Sequence, residues 1–215
     1  MQFYSHLVVS TLLQDSLDPV DSSQYFLGTI IPDIRYYNKL PREKTHLSMK
    51  ELDVYAESMP HLESFIMGYR LHCLIDEHEA ELFDQIRQTY PIRLVEKRLT
   101  AFMLKMMIEF YYFENYRLTL QLDDTQNEML IDLGVTTNDV NTYIEALNEF
   151  LSKQTFEAGL EAFEQLGIMG AGNVDKYVAA AHQIKRMQFL KAPIRWMLRG
   201  SLDLFQSKMM QEIRK

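Results

Sequence analysis

Along nearly the whole chain, apolar side chains recur at intervals of three and four residues, the spacing that lines one face of an α-helix. That periodicity leaves little room for a sheet. Eight glycines and six prolines in 215 residues rarely interrupt it, and the thirteen methionines with abundant Leu, Glu, Gln and Ala favour helix over strand. The expected fold is all-α, a single multi-helix domain spanning residues 1–215. A chain of this size buries roughly 70% of the surface its unfolded form exposes, enough for a core without disulfide staples. The lone cysteine, Cys73, permits no intramolecular disulfide.

Turn residues set the expected boundaries. A first helix over about 3–15 ends at the Asp18-Pro19 turn. A second, about 22–31, stops at Pro32, because the residue before a proline is driven out of the helical region. After a loop containing Pro41, a helix covers about 48–57. Pro60 suits the first turn of a long helix reaching about Thr89, and Pro91 opens another to about Arg117. Thr136-Thr137-Asn138-Asp139 reads as a helix cap for a segment to about Lys153, with a further helix over 156–166. The glycine-rich stretch 167–173 sets off two terminal helices, about 173–215, divided at Ala192-Pro193.

The net charge of −8 argues against sequence-independent binding to a nucleic-acid backbone, which draws its affinity from many Lys and Arg contacts. The charge is uneven: eight of the 22 basic residues fall in 185–215, with only two of the 30 acidic ones. The acidic remainder suits a bound divalent cation. The first fourteen residues lack the basic lead-in and small-residue cleavage site of a secretory signal, and no 18-residue apolar run occurs, so a cytoplasmic location is expected.

The chemistry concentrates in Phe65-Ile66-Met67-Gly68-Tyr69-Arg70-Leu71-His72-Cys73-Leu74-Ile75-Asp76. On a helix His72 and Asp76 stand one turn apart on one face, with Cβ atoms about 5–6 Å apart, so both reach one cation. Gly68, a turn earlier, lets another backbone approach where further ligands must arrive. Those ligands are Asp33, aimed from the rigid Pro32 position, His46 in the loop before the third helix, and His6 beside the apolar stripe of the first. Imidazole with carboxylate suits zinc, with manganese or iron as alternatives. Each residue also has a plainer role taken singly: helix-surface hydrogen bonding for the His-x-x-x-Asp pair, a turn for Asp33, a core-edge position for His6. Cys73 reads as a small buried hydrophobe. His78 falls on the side opposite Asp76 and reads as solvated. His61 lies about 16 Å along the helix from His72, too far to share a metal with it. Glu79, one turn beyond Asp76, is an accessory ligand or base at most.

In order, His6, Phe26-Leu27-Gly28-Thr29-Ile30-Ile31-Pro32-Asp33, His46 and Phe65-x-x-Gly68-x-x-x-His72-x-x-x-Asp76 resemble the zinc-dependent phospholipase C family, a fold group shared with secreted zinc-dependent single-strand nucleases. The resemblance covers roughly residues 1–80. It implies one zinc surrounded by Asp33, His46, His72 and Asp76, with Asp76 bridging to a second held by His6 and the mature N-terminal amine. Three-metal members carry a further histidine about six residues after the position of Asp76, where this chain has Leu82, so one or two ions are implied.

The expected function is therefore a metal-dependent phosphoesterase of the phospholipase C kind, acting on a small phosphate ester or lipid head group. Asp76 belongs to its catalytic centre, and Arg35 and Arg70 are the candidates to neutralise phosphate. Tyr36 and Tyr37 are candidates for the pocket mouth. The competing reading is a non-catalytic helical protein that keeps a metal for stability or binds a partner. Its support is the basic amphipathic segment with Arg195, Trp196, Arg199, Phe205, Met209 and Met210, which suits peripheral contact with an anionic membrane. An HD-type phosphohydrolase would need an adjacent His-Asp dipeptide, and none occurs.

Overall fold

The computed structural model describes residues 3–89, 109, 112–123 and 127–167. All regular structure among them is helical. The helices are α1 (Phe3–Leu17), α2 (Ser22–Ile30), α3 (Arg35–Asn38), α4 (Arg42–Thr45), α5 (Met49–Ser58), α6 (Glu63–Thr89), α7 (Glu128–Asp132), α8 (Thr137–Lys153) and α9 (Phe156–Gln165), with 3-10 turns at Ile31–Ile34 and Pro60–Leu62. Residues 112–115 are also helical. The stretch expected to run from Pro91 to about Arg117 lies mostly outside the described residues, and of those described from 112 onward the helical ones end at 115. The two terminal helices and the basic segment with Trp196 lie outside them altogether.

Local chemistry explains the starts. Asp21 caps α2 through Gln24 N–H (3.0 Å), and Ser48 opens α5 in a reciprocal box with Glu51. Thr136 and Asp139 do the same for α8, as the cap sequence leads one to expect. Proline acts less abruptly than expected. Pro32 does not end the helical path but sits in the first turn of the 3-10 segment that tightens it, and Pro60 opens a 3-10 turn ahead of α6 rather than α6 itself. The loop around Pro41 also holds two single-turn helices, α3 and α4, too short for apolar periodicity to announce.

Helix α2 packs on α6 more extensively than on any other element. The reason is a pair of glycines. A Cβ at Gly28 would lie 2.0 Å from the Phe65 carbonyl oxygen, and one at Gly68 would lie 2.0 Å from that of Tyr25. The two main chains therefore touch at both points, which no side chain larger than hydrogen allows. Helix α1 lies against both. Its start is tied to the C-terminal half of the described chain: Tyr4 stacks on Phe113 at 4.0 Å between ring centroids, Phe3 meets Phe150 edge-on at 4.8 Å, and the Tyr4 hydroxyl donates to the Tyr116 carbonyl (3.1 Å). Buried residues from α1 through Leu166 form one continuous core. No helix among the described residues is long and apolar enough to cross a membrane.

Candidate metal centre

Four separate stretches of backbone bring His6, Asp33, His46, His72 and Asp76 together. Helix α1 supplies His6, the 3-10 turn after α2 supplies Asp33, the residue after α4 is His46, and α6 supplies His72 and Asp76. The glycine contact seats α2 on α6 and so carries Asp33 toward the His72/Asp76 face. Tyr69 donates its hydroxyl to the Thr45 carbonyl, and the Cys73 thiol lies 3.7 Å from the Leu47 carbonyl oxygen, so the loop around His46 is pinned to α6 from both sides. Cys73 is thus a small half-buried packing residue, and burial pushes its thiol up to about 12. Ser10 donates to the His6 carbonyl (2.7 Å), and the Tyr25 hydroxyl donates to Ser10's carbonyl (3.0 Å), which fixes α1 against α2.

The donor atoms form two overlapping groups, His6 with His72 and Asp76, and Asp33 with His46 and His72, each within 4.8 Å. The Asp76 carboxylate divides between them: Oδ1 faces His6 Nε2 at 3.6 Å, while Oδ2 faces His46 Nε2 at 3.2 Å. His46 Nε2 lies 4.0 Å from Asp33 Oδ1 and 3.3 Å from His72 Nε2. The His72 ring is oriented from behind, with Nδ1 2.7 Å from the Thr29 carbonyl oxygen. A carbonyl only accepts, so Nδ1 carries the proton and the Nε2 lone pair points into the cluster. Burial, with His6 beside it, pushes His72 down to about 3, which keeps that lone pair available at neutral pH.

The electrostatics are strongly polarised. His6 and His72 are each 1% exposed. Burial pulls the His6 imidazole down, but the hydrogen bond to Asp76 and the charges of Glu79, Asp76 and Asp33 overcome it and raise it to about 9. Burial pushes Asp76 up, yet bonds from His46 and His6 hold it well below the usual carboxylate range; Asp33 is held low in the same sense, by His72 and His6 against its burial.

Apart from Glu79, the neighbours of the cluster were not legible as such. Arg42, in α4, places Nη2 2.7 Å from Asp76 Oδ2. Behind His6, the Ser5 backbone N–H donates to Glu109 (3.1 Å) and the Ser5 hydroxyl to Glu79 (3.2 Å), both buried; burial raises Glu109. Of the arginines singled out from the sequence, Arg35 lies just after Asp33, its guanidinium 3.9 Å over the Tyr36 ring and donating to the Tyr36 hydroxyl. Arg70 is turned away to Asp53 and borders an outer cavity of about 240 Å³ with Ala56, Pro60, Glu63, Ile66 and Met67. The structure does not bring it to the cluster. His61 is also remote, paired with Glu128 at 3.3 Å, and His78 is half-buried near Glu81 rather than fully solvated. Tyr36 and Tyr37 are both partly buried.

The chain matches no protein-family model, no curated protein and no solved structure.

Proposed function

We propose that the cluster is a divalent-metal centre of one or two ions, zinc by preference with manganese or iron as alternatives, in a hydrolase of phosphate esters of the phospholipase C/nuclease type. The observation that carries the reading is the orientation of His72. Its outer nitrogen is locked on a backbone carbonyl while its inner nitrogen faces a second imidazole at 3.3 Å and two carboxylates. A histidine held by its far nitrogen is the usual arrangement of a metal ligand. Two imidazole nitrogens aimed at each other beside buried carboxylates form a donor set that a cation satisfies.

Asp33, His46, His72 and Asp76 would hold one ion, and His6 with the other oxygen of Asp76 would contribute to the second. A cation of this kind, when bound, polarises a phosphoryl oxygen and lowers the pKa of water toward neutrality. The chain's own residues would do the rest: Asp76, with one oxygen toward His6 and the other toward His46, would set the donor spacing, the buried imidazoles would exclude bulk water, and Arg35, two residues after Asp33, would be available to neutralise phosphate. Residues 1–80 carry the likeness to the family, and they are also the residues that build the site.

Near-complete burial of the imidazoles supports a second reading, a structural metal in a non-catalytic helical protein. Elemental analysis of protein purified without chelator, followed by assays of the loaded form on phosphomonoesters and diesters, separates the two. One or two ions per chain with turnover abolished by Asp76→Asn is the expected result. Metal without turnover on any such ester favours the structural role, and no metal after addition of zinc or manganese removes both.

A further inference from the structure

One short turn grips Asp76 Oδ2 twice. His46 Nε2 stands 3.2 Å from that oxygen, and Arg42 Nη2, closer than either imidazole, stands 2.7 Å from it. The two residues are also joined through the backbone, because the His46 N–H donates to the Arg42 carbonyl at 2.8 Å. Arg42, Asp76 and His46 thus close a ring of three contacts around the oxygen on the side of the Asp33/His46/His72 group, while Oδ1 faces His6. A helix of four residues such as α4 does not hold its own shape, since a first turn fixes several dihedrals for one hydrogen bond. Its place depends on anchors to α6: the Thr45 carbonyl accepts from Tyr69 and the Leu47 carbonyl faces Cys73 at the far end, and the Arg42 side chain reaches Asp76 from the near end.

His46 is held less firmly from behind than His72. Its Nδ1 meets the Thr45 hydroxyl at 3.2 Å, a group on the same turn, whereas His72 Nδ1 meets the Thr29 carbonyl oxygen of α2 at 2.7 Å. The direction of the His46 ring therefore follows the turn, and the start of the turn follows Arg42. Charge works the other way, since a guanidinium repels a cation, but the Arg42 side chain is 52% exposed and water screens it. Orientation is the larger effect, because a partner that holds a ligating side chain governs about ten- to a hundredfold in ion affinity. The geometry points to Arg42 as a positioning residue of the centre, acting through Asp76 and His46 and touching no ion. It seats the His46 turn and keeps Asp76 Oδ2 on the side of Asp33, His46 and His72, so that one carboxylate serves two ion positions. This inference rests on the metal-centre reading above.

The test is a zinc titration of the full-length protein against a competing chelator, wild type first, with Asp33→Asn marking which ion belongs to the Asp33/His46/His72 group. Arg42→Gln is expected to bind that ion about ten- to a hundredfold more weakly, and Arg42→Lys, which keeps a charged donor, to recover most of the loss. In the cobalt-loaded form the visible bands report the donor set, so Arg42→Gln should shift them and Arg42→Lys should leave them in place. Chelator-treated Arg42→Gln should melt within about four degrees of wild type, because a half-exposed ion pair adds little stability. Unchanged or tighter zinc binding in Arg42→Gln overturns the proposal, as do cobalt bands that stay put in that variant. So does a loss of affinity that Arg42→Lys leaves unrepaired, or an ion-free Arg42→Gln protein that melts more than about four degrees lower, which makes the arginine a general structural residue. Wild-type protein that takes up neither zinc nor cobalt instead removes the centre itself, and that result is read before any variant is titrated.

Discussion

At the scale of single residues, the cluster is governed by which atoms carry protons. His6, raised to about 9, holds a proton at neutral pH that a cation bound there as proposed would displace. Apparent affinity for the ion that His6 would contact should therefore climb about tenfold per pH unit from 7 toward 9, one proton being released as that ion binds, as titrations at pH 7 and 8 would show. In chelator-treated protein the linkage has two signs. His6 is raised above its unfolded value of 6.5, so its contribution is complete below that pH and is lost as pH rises through about 9. His72 is lowered to about 3, so its folded form resists protonation and stability falls as pH drops below 6.5. The depressed Asp33 and Asp76 also lose their contribution on the acid side. Melting temperature without metal should peak near pH 6 to 7, and loading should move the peak upward. A melting profile flat from pH 5 to 9 contradicts this account. The convergence of His6, Asp33, His46, His72 and Asp76 was legible only from their ordered combination, because each has a plainer role taken singly. Arg42 was not, because one arginine in a polar loop looks like any other surface charge until its partner is seen.

At the scale of elements, the glycine contact decides whether the ligands meet. Gly68→Ala gains roughly 1 kcal/mol of intrinsic helix propensity but drives a methyl group onto the Tyr25 carbonyl. Overpacking against backbone costs about 1–3 kcal/mol or more, so the net effect should be destabilising, with a melting temperature several degrees lower. Gly28→Ala should behave alike, meeting the Phe65 carbonyl. Both should also weaken metal binding, since α2 carries Asp33 into place; a Gly68→Ala protein that is more stable and loads metal normally would refute the contact's importance. Gly68 was readable as a point of close approach, being a mid-helix glycine one turn from His72. Its counterpart in α2 was readable only as part of a motif, since nothing in a linear chain states which glycine faces which. The cap at Thr136 was explicit in side-chain chemistry. The single turns α3 and α4 left no trace, because four residues are too few to show a helical period, and the 3-10 path through Pro32 shows that proline's steric clash with the preceding residue is met by tightening the turn as well as by ending it.

At the scale of the whole molecule, the proposed ligands are drawn from residues 6 to 76, so binding a cation there would be coupled to folding. An ion bound only by the native state adds about 3–4 kcal/mol at free concentrations one hundred to one thousand times its dissociation constant. Chelation should lower the melting temperature by several degrees, and excess zinc or manganese should restore it. The all-helical architecture was plain from periodicity alone, whereas the union of the N-terminal site with the C-terminal half was not, for it depends on Phe3 and Tyr4 meeting Phe113 and Phe150 across more than a hundred residues. The direct meeting of two main chains at Gly28 and Gly68 has a last consequence. The gap between Asp33 and the His72/Asp76 pair is calibrated by peptide atoms, which cannot change rotamer, so the proposed centre would act as a rigid gauge of ionic radius. It should reject a large ion such as calcium in favour of one near the size of zinc, however the surrounding core is repacked.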